Sequence, residues 1–299
     1  MLRVAHDDKK GRAVALPLLA GDDNNVAKMT SRRLSLPPYE GQIADAYAGP
    51  EFLSLLAEPR KLLEGSGAEV LLDGRNRVVA MKTAAGSGGT ADIVIKEFRL
   101  QGINKLKSLV LPSKAAKSWR GARSLQEAGF ETPAPIAFLE KRKGGFVEQS
   151  YFVAERVFGG REIRRLFRES SEETLRPLLA ALAETLFRLH EKGILHRDLS
   201  DGNVLVKEAA GAFRFIFLDT NRVRSRGHIG PAARAKNLIR LGVPPALRPF
   251  FLERYAAAGG RPLVKAFVFW YKFNKNVFSG WIKLKRVLRL KKLARWLKI

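Results

Sequence analysis

Three oxygen-bearing side chains stand at spacings that could do chemistry together. Asp198 follows His196-Arg197 on a loop after a helix-like stretch. Asn203 opens the apolar run Val204-Leu205-Val206, and Asp219 closes a second run, Phe213 to Leu218. With Gly211 between them the two runs read as a hairpin, which returns Asp219 to the side of Asn203. A carboxylate on a loop can take the proton of an attacking hydroxyl. An amide oxygen and a carboxylate at neighbouring strand ends suit Mg2+, which keeps waters and shares phosphate oxygens. A lone His-Arg-Asp triplet could simply cap a turn. Its occurrence together with Asn203, both runs and Asp219 argues against that.

This segment, Ile194-Leu195-His196-Arg197-Asp198-Leu199-Ser200-Asp201-Gly202-Asn203, resembles the catalytic loop H-R-D-L-x-x-x-N of the protein-kinase superfamily, and Asp219 matches its magnesium-binding Asp. The resemblance implies ATP and Mg2+, with Asp198 as base and Asn203 and Asp219 as metal ligands. Phosphoryl transfer asks a protein mainly for alignment and charge neutralisation. Lys96, placed at the end of Ile93-Val94-Ile95-Lys96, resembles the nucleotide lysine of V-A-I-K and would hold the α- and β-phosphates; a solvated strand-end lysine is the plain alternative. Glu155 marks the hinge whose backbone would meet adenine. Arg197 is expected to orient the loop rather than touch substrate.

The elements that must position these groups fall into two sets. Glu69-Leu72 with Arg77-Lys82, Ala91-Phe98, and Ile136-Glu140 with Ser150-Arg156 read as strands; residues 114–128 read as a helix. After Arg156 the chain turns helical, with Leu178, Leu179, Leu182, Leu186 and Leu189 on one side of a long helix that Gly193 ends. The expectation is an α+β, two-lobed kinase-like fold: a loose N-terminal arm over 1–50, an N-lobe over 51–155, a C-lobe over 156–258 and a basic aromatic helical segment over 259–299. Phe52 to Leu63 reads as one helix, and Ala85 to Gly89 as a Gly-rich loop.

The pattern departs from protein kinases in several places. No G-x-G-x-x-G covers the phosphates. Ser118 stands about where a helix Glu would pair with Lys96, leaving Glu127 or the N-terminal arm as candidates. Asp219-Thr220-Asn221 replaces D-F-G, Ser200 replaces the usual Lys, and no A-P-E follows. These features point to a small-molecule or glycolipid acceptor.

Lys117-Ser118-Trp119-Arg120, Leu125 to Gly129 and Thr132-Pro133-Ala134-Pro135-Ile136 resemble the lipopolysaccharide core kinases of Gram-negative bacteria, over about residues 65–255. That resemblance implies phosphorylation of a sugar hydroxyl, on 3-deoxy-manno-octulosonate (Kdo) or heptose, in the inner core. An aminoglycoside-type small-molecule kinase shares much of the catalytic pattern, and a catalytically dead kinase-fold scaffold is a reading from another class.

Composition bears on partners. Lys and Arg total 54 against 29 Asp and Glu, a net charge of +25, which calls for an anionic partner. From Arg254 onward there is no acidic residue but there are 13 Lys or Arg, interleaved with Phe267, Phe269, Trp270, Tyr271, Phe273, Phe278, Trp281 and Trp296. Basic residues with aromatic anchors suit an anionic membrane surface; inward packing with a solvated basic face is the alternative. Leu284, Val287 and Leu288 share one helical face, and Leu290, Leu293 and Leu297 another, so one straight amphipathic helix does not explain both. No nucleic-acid motif is present, and nucleic acid is not expected. No apolar run reaches 18 residues, the apolar Ala13 to Ala20 is short and preceded by Asp7-Asp8, and there is no cysteine. The expected location is the cytoplasm, peripheral to the inner face of the inner membrane.

Overall fold

A computed structural model describes residues 30–84, 89–100, 102–209, 211–260 and 265–287. The chain forms two lobes. The first is a seven-stranded antiparallel sheet: β1 (Ser31–Leu36), β2 (Tyr39–Ala44), β3 (Glu69–Asp73), β4 (Asn76–Ala84), β5 (Thr90–Phe98), β6 (Pro135–Lys143) and β7 (Phe146–Glu155), in the order β1-β2-β6-β7-β5-β4-β3. Strand alternation sorts its faces. Ile93 and Ile95 of β5 are fully buried with Val153 of β7, and helices α1 (Pro50–Ala57) and α2 (Pro59–Glu64) cover them with Phe52, Leu56, Leu62 and Leu63. The opposite face carries Lys96, Phe152 and Phe138 in register across three strands. After the short helix α3 (Ile103–Lys107), helix α4 (Lys114–Glu127) lies on that face, with Trp119 against Phe138 at 6.0 Å. Ser113 caps α4 by accepting a hydrogen bond from Ala116 N.

Two expectations are corrected here. The arm foreseen as loose over 1–50 is ordered from Ser31: β2 pairs with β6, and Leu34, Tyr39 and Ile43 are buried. Residues 1–29 lie outside the described residues. The single helix foreseen over Phe52–Leu63 is two, because Pro59 cannot continue the first and opens the second. Of the Gly-rich loop foreseen over Ala85 to Gly89, residues 85–88 lie outside the described residues, as do Leu288 to Ile299 with the second leucine stripe and Trp296.

The second lobe packs on α6 (Glu172–Glu191), which follows β8 (Arg161–Glu162) and α5 (Ile163–Glu169). Leu175, Leu178, Leu179, Leu182, Leu186 and Leu189 of α6 join one large core. Gly193, at φ +71°, ends the helix, and a Cβ there would overlap the Arg226 carbonyl. Strand β9 (Ile194–His196) pairs with β12 (Val223–Ser225), and β10 (Val204–Ala209) with β11 (Ala212–Phe217). Helices α7 (Pro231–Leu238), α8 (Arg248–Ala257) and α9 (Lys265–Val287) complete the lobe. α9 divides its aromatics: Phe267 and Tyr271 are buried in the core, while Phe269, Trp270, Phe273 and Trp281 face outward.

Candidate active site

The β10–β11 register sets Val204 opposite Phe217, so Asn203 and the Leu218–Asp219 pair meet at one end of the hairpin. Leu218 N donates to Asn203 O at 2.9 Å, and Asn203 Nδ2 donates to Asp198 O at 2.8 Å. Because Nδ2 is committed to the loop, the amide oxygen of Asn203 is the atom left to take a cation. Asp219 sits in the left-handed region (φ +54°), alone among described non-glycine residues, a conformation that Asp tolerates better than most side chains. Its hinge-like position is fixed from both sides. His196 Nε2 donates to Leu218 O at 2.8 Å, and Thr220 Oγ1 donates to Ser118 O of α4 at 2.8 Å. Gly121, one turn along α4, lets the helix touch the Thr220 carbonyl, which any Cβ would overlap.

Two buried histidines brace the loop from below. Burial lowers the pKa of His196, so it is a neutral donor. Burial pushes His190 down to about 4. His190 binds Tyr255 and Asn237 at 2.6 and 2.9 Å, and Asn237 Nδ2 donates to His196 O at 2.9 Å. A hydrogen-bonded chain thus runs from α8 to the strand that delivers Asp198.

Lys96 is brought to the same place, with a correction. It lies inside β5, opposite Val78 and Phe152, rather than at the strand end. Its Nζ donates to Asp219 Oδ1 at 2.7 Å, and both side chains are largely buried. Among the described residues no helix Glu stands between them. Glu127 instead pairs with Arg123 on its own helix at 3.1 Å. Lys114, at the start of α4, adds a second ammonium. Burial, with Arg75, Arg222 and Lys96 close by, holds it below the ordinary lysine range.

Glu155 ends β7 and is exposed; its carboxylate accepts from Tyr47 OH at 2.7 Å. Its N–H is committed to Ala134 O and that of Arg156 to Asp92 O.

The sequence reading missed the arginines at Asp198. Arg240 Nη2 lies 2.7 Å from Asp198 Oδ1, and Arg222 Nη1 lies 3.7 Å from Oδ2. Nothing local in the sequence marks Arg240. Lys114 did carry a signal, since a cation at a helix N-terminus opposes the dipole and invites an explanation.

The oxygens offered by Asn203 and Asp219 are hard donors of the kind Mg2+ takes. Among the described residues no group of three or more His, Cys, Asp or Glu could hold a metal by itself. A family model, Lipopolysaccharide kinase (Kdo/WaaP) family, matches residues 92–245, a span that holds Lys96, Lys114, Asp198, Asn203, Asp219 and Arg240. The chain belongs to the lipopolysaccharide kinase (Kdo/WaaP) family. Among solved structures, "WaaP in complex with acyl carrier protein" matches with a TM-score of 0.51 at 21% identity, covering 73% of this chain and 91% of that one. The Kdo/WaaP chain therefore has the α+β kinase-like fold. The Mycobacterium tuberculosis PknI kinase domain matches at 16% identity and a TM-score of 0.38, over 70% of this chain and 96% of that one. The serine/threonine-protein kinase pkn2 of Myxococcus xanthus is 27% identical over 60% of this chain, which spans 22% of that relative's length.

Proposed function

We propose that this lipopolysaccharide kinase-family protein transfers the γ-phosphoryl group of ATP to a sugar hydroxyl, of Kdo or heptose, in the lipopolysaccharide inner core at a membrane surface. The observation that carries the reading is the bonded convergence of Asp198, Asn203 and Asp219, with Lys96 reaching Asp219 from the other lobe. Asp198 takes the proton of the acceptor hydroxyl. The alcohol oxygen forms its bond to the γ-phosphorus as the bond to the β,γ-bridging oxygen breaks, and ADP leaves with that electron pair. Asn203 and Asp219 would hold Mg2+, which neutralises phosphate charge when bound. Lys96 and Lys114 would meet phosphate oxygens, and the hinge backbone at Glu155 would meet the base.

The outward aromatics of α9, with Lys272 and Lys283 beside them, support docking on an anionic lipid surface where the acceptor resides. No helix among the described residues is long and apolar enough to cross a membrane. A peripheral place on the inner face of the inner membrane follows from this reading.

The test is phosphotransfer by the purified full chain from ATP and Mg2+ to deacylated core oligosaccharide. Asp198→Ala should lose at least about a thousandfold in kcat, since both base and orienting roles go. A near-normal rate in that variant rejects the assignment. Turnover confined to small cationic sugars marks an aminoglycoside-type kinase, and no turnover with any sugar marks a scaffold.

A further inference from the structure

The connection from β5 to α4 carries a cluster that phosphotransfer does not use. Leu106 of α3 and Leu109, Val110 and Leu111 just after it are all exposed, Val110 by 88%. Aliphatic side chains exposed singly are ordinary, but four within one short loop form a patch that calls for an occupant. The loop is held firmly beneath that patch. Ser108 is buried; its Oγ accepts from Val147 N at 3.0 Å, and its carbonyl accepts from Arg142 Nη1 at 3.0 Å. Arg142 Nη1 also donates to Gly145 O at 2.9 Å, in the β6–β7 turn. A Cβ on Gly145 would come within 3.1 Å of Leu109 Cδ2, so the loop lies against that turn. The N–H groups of Ser108, Leu109 and Leu111 are bonded to carbonyls of α3, which lowers the cost of taking this backbone out of water.

The surroundings of the patch are basic. Lys105 and Lys107 flank Leu106, and Lys141 and Lys143 stand on the neighbouring β6. The bond to Lys141 at 3.0 Å, with Lys143 and Lys105 close by, holds Glu148 below the usual carboxylate range, so three of these lysines surround one acid. From Phe98 to Gln126 the chain has no acidic residue. We infer that this loop is a second membrane-docking element, in which Leu106, Leu109, Val110 and Leu111 enter an anionic lipid bilayer while the lysines around them meet its headgroups. Apolar side chains gain by leaving water, and lysines are drawn to an anionic surface. A second copy of the chain is the poorer occupant. Self-complementary pairing sets a patch against itself, and it would press these lysines together between two chains of net charge +25. The inference goes beyond the docking surface proposed on α9, because it puts a contact on the other lobe. It depends neither on that surface nor on which sugar is phosphorylated.

The chain lacks cysteine, so single labels can be placed on it without background. The full chain is prepared as Val110→Cys, as Val277→Cys on the exposed side of α9, and as Glu173→Cys at the exposed start of α6, each bearing a nitrobenzoxadiazole dye. The probes are vesicles of phosphatidylglycerol with phosphatidylcholine, and of phosphatidylcholine alone, with and without nitroxide groups on the acyl chains. On the anionic vesicles the dye at 110 should shift to shorter wavelength and be quenched by the nitroxide, while the dye at 173 should do neither. Val110→Asp should weaken cosedimentation with those vesicles by at least about 10-fold, roughly the worth of one buried valine, with the urea midpoint unchanged. An unaltered dye at 110 on vesicle-bound protein overturns the inference, and a response at 277 in the same vesicles leaves the α9 surface standing. A response at 110 with none at 277 sustains the inference and removes the α9 surface instead. Shielding at 110 that grows with protein concentration in the absence of vesicles assigns the patch to a second copy and overturns the inference. So does an equal response to phosphatidylcholine alone, which would leave the lysines without a role, and so does failure to bind either vesicle.

Discussion

The two walls of the cleft are built on different terms. On the C-lobe wall, Asp198, Asn203 and Asp219 come from a short loop and the open end of one hairpin, tied by the Asn203 side chain to the Asp198 carbonyl and by the main-chain bond from Leu218 to Asn203. On the N-lobe wall, Lys96 stands without a helix carboxylate and crosses the cleft to Asp219 itself. In the kinase pattern a glutamate from the helix would hold the lysine. Here α4 offers Ser118 at that level, and the helix is joined to the other lobe by the Thr220 to Ser118 bond and the Gly121 contact. The contrast teaches that a wall made of adjacent residues can be kept as a motif, whereas a wall made by partners far apart in sequence can be rebuilt with the same lysine.

That contrast can be broken at the lysine first. Lys96→Ala should lower kcat/KM for ATP by about 100-fold, as expected for removing a charge-assisted contact, read from initial rates against ATP concentration. An unaltered value would show that the N-lobe wall takes no part. At the joint between walls, Gly121→Ala should destabilise the protein by about 1–3 kcal/mol, read from urea unfolding. The sign is informative, because alanine inside a helix is ordinarily favoured over glycine by about 1 kcal/mol. The smallest effect belongs to Glu127→Ala. Its partner is Arg123 on the same exposed helix face, so stability should stay within about 0.5 kcal/mol and the KM for ATP should not move. A large rise in KM would instead return Glu127 to the lysine.

What the sequence discloses follows the same division. Asp198, Asn203 and Asp219 are legible because hairpin register converts their spacing directly into proximity. The Lys96 partner and the Arg240 contact are not, since each joins residues from separate elements and no periodicity encodes that meeting. Pro37-Pro38 read as a loose arm, yet the alternation of Leu34 and Leu36 before them and of Tyr39 after them is that of two strands around a tight turn. The proline rule that splits α1 from α2 was available in Pro59. For α9 the sequence left open whether its aromatics face a membrane or pack inward, and packing against α8 decides which go inward: Phe267 stacks on Tyr255 at 5.5 Å.

The hairpin β1–β2 lies wholly before the matched span of residues 92–245, yet β2 pairs with the outer edge of β6 from Ala137 to Glu140. A chain shortened to begin after Tyr47 would bare that row of amides and carbonyls to any passing strand. Resistance to self-association and the capacity for chemistry are thus written in separate stretches of this polypeptide, joined at the site by the bond from Tyr47 to Glu155.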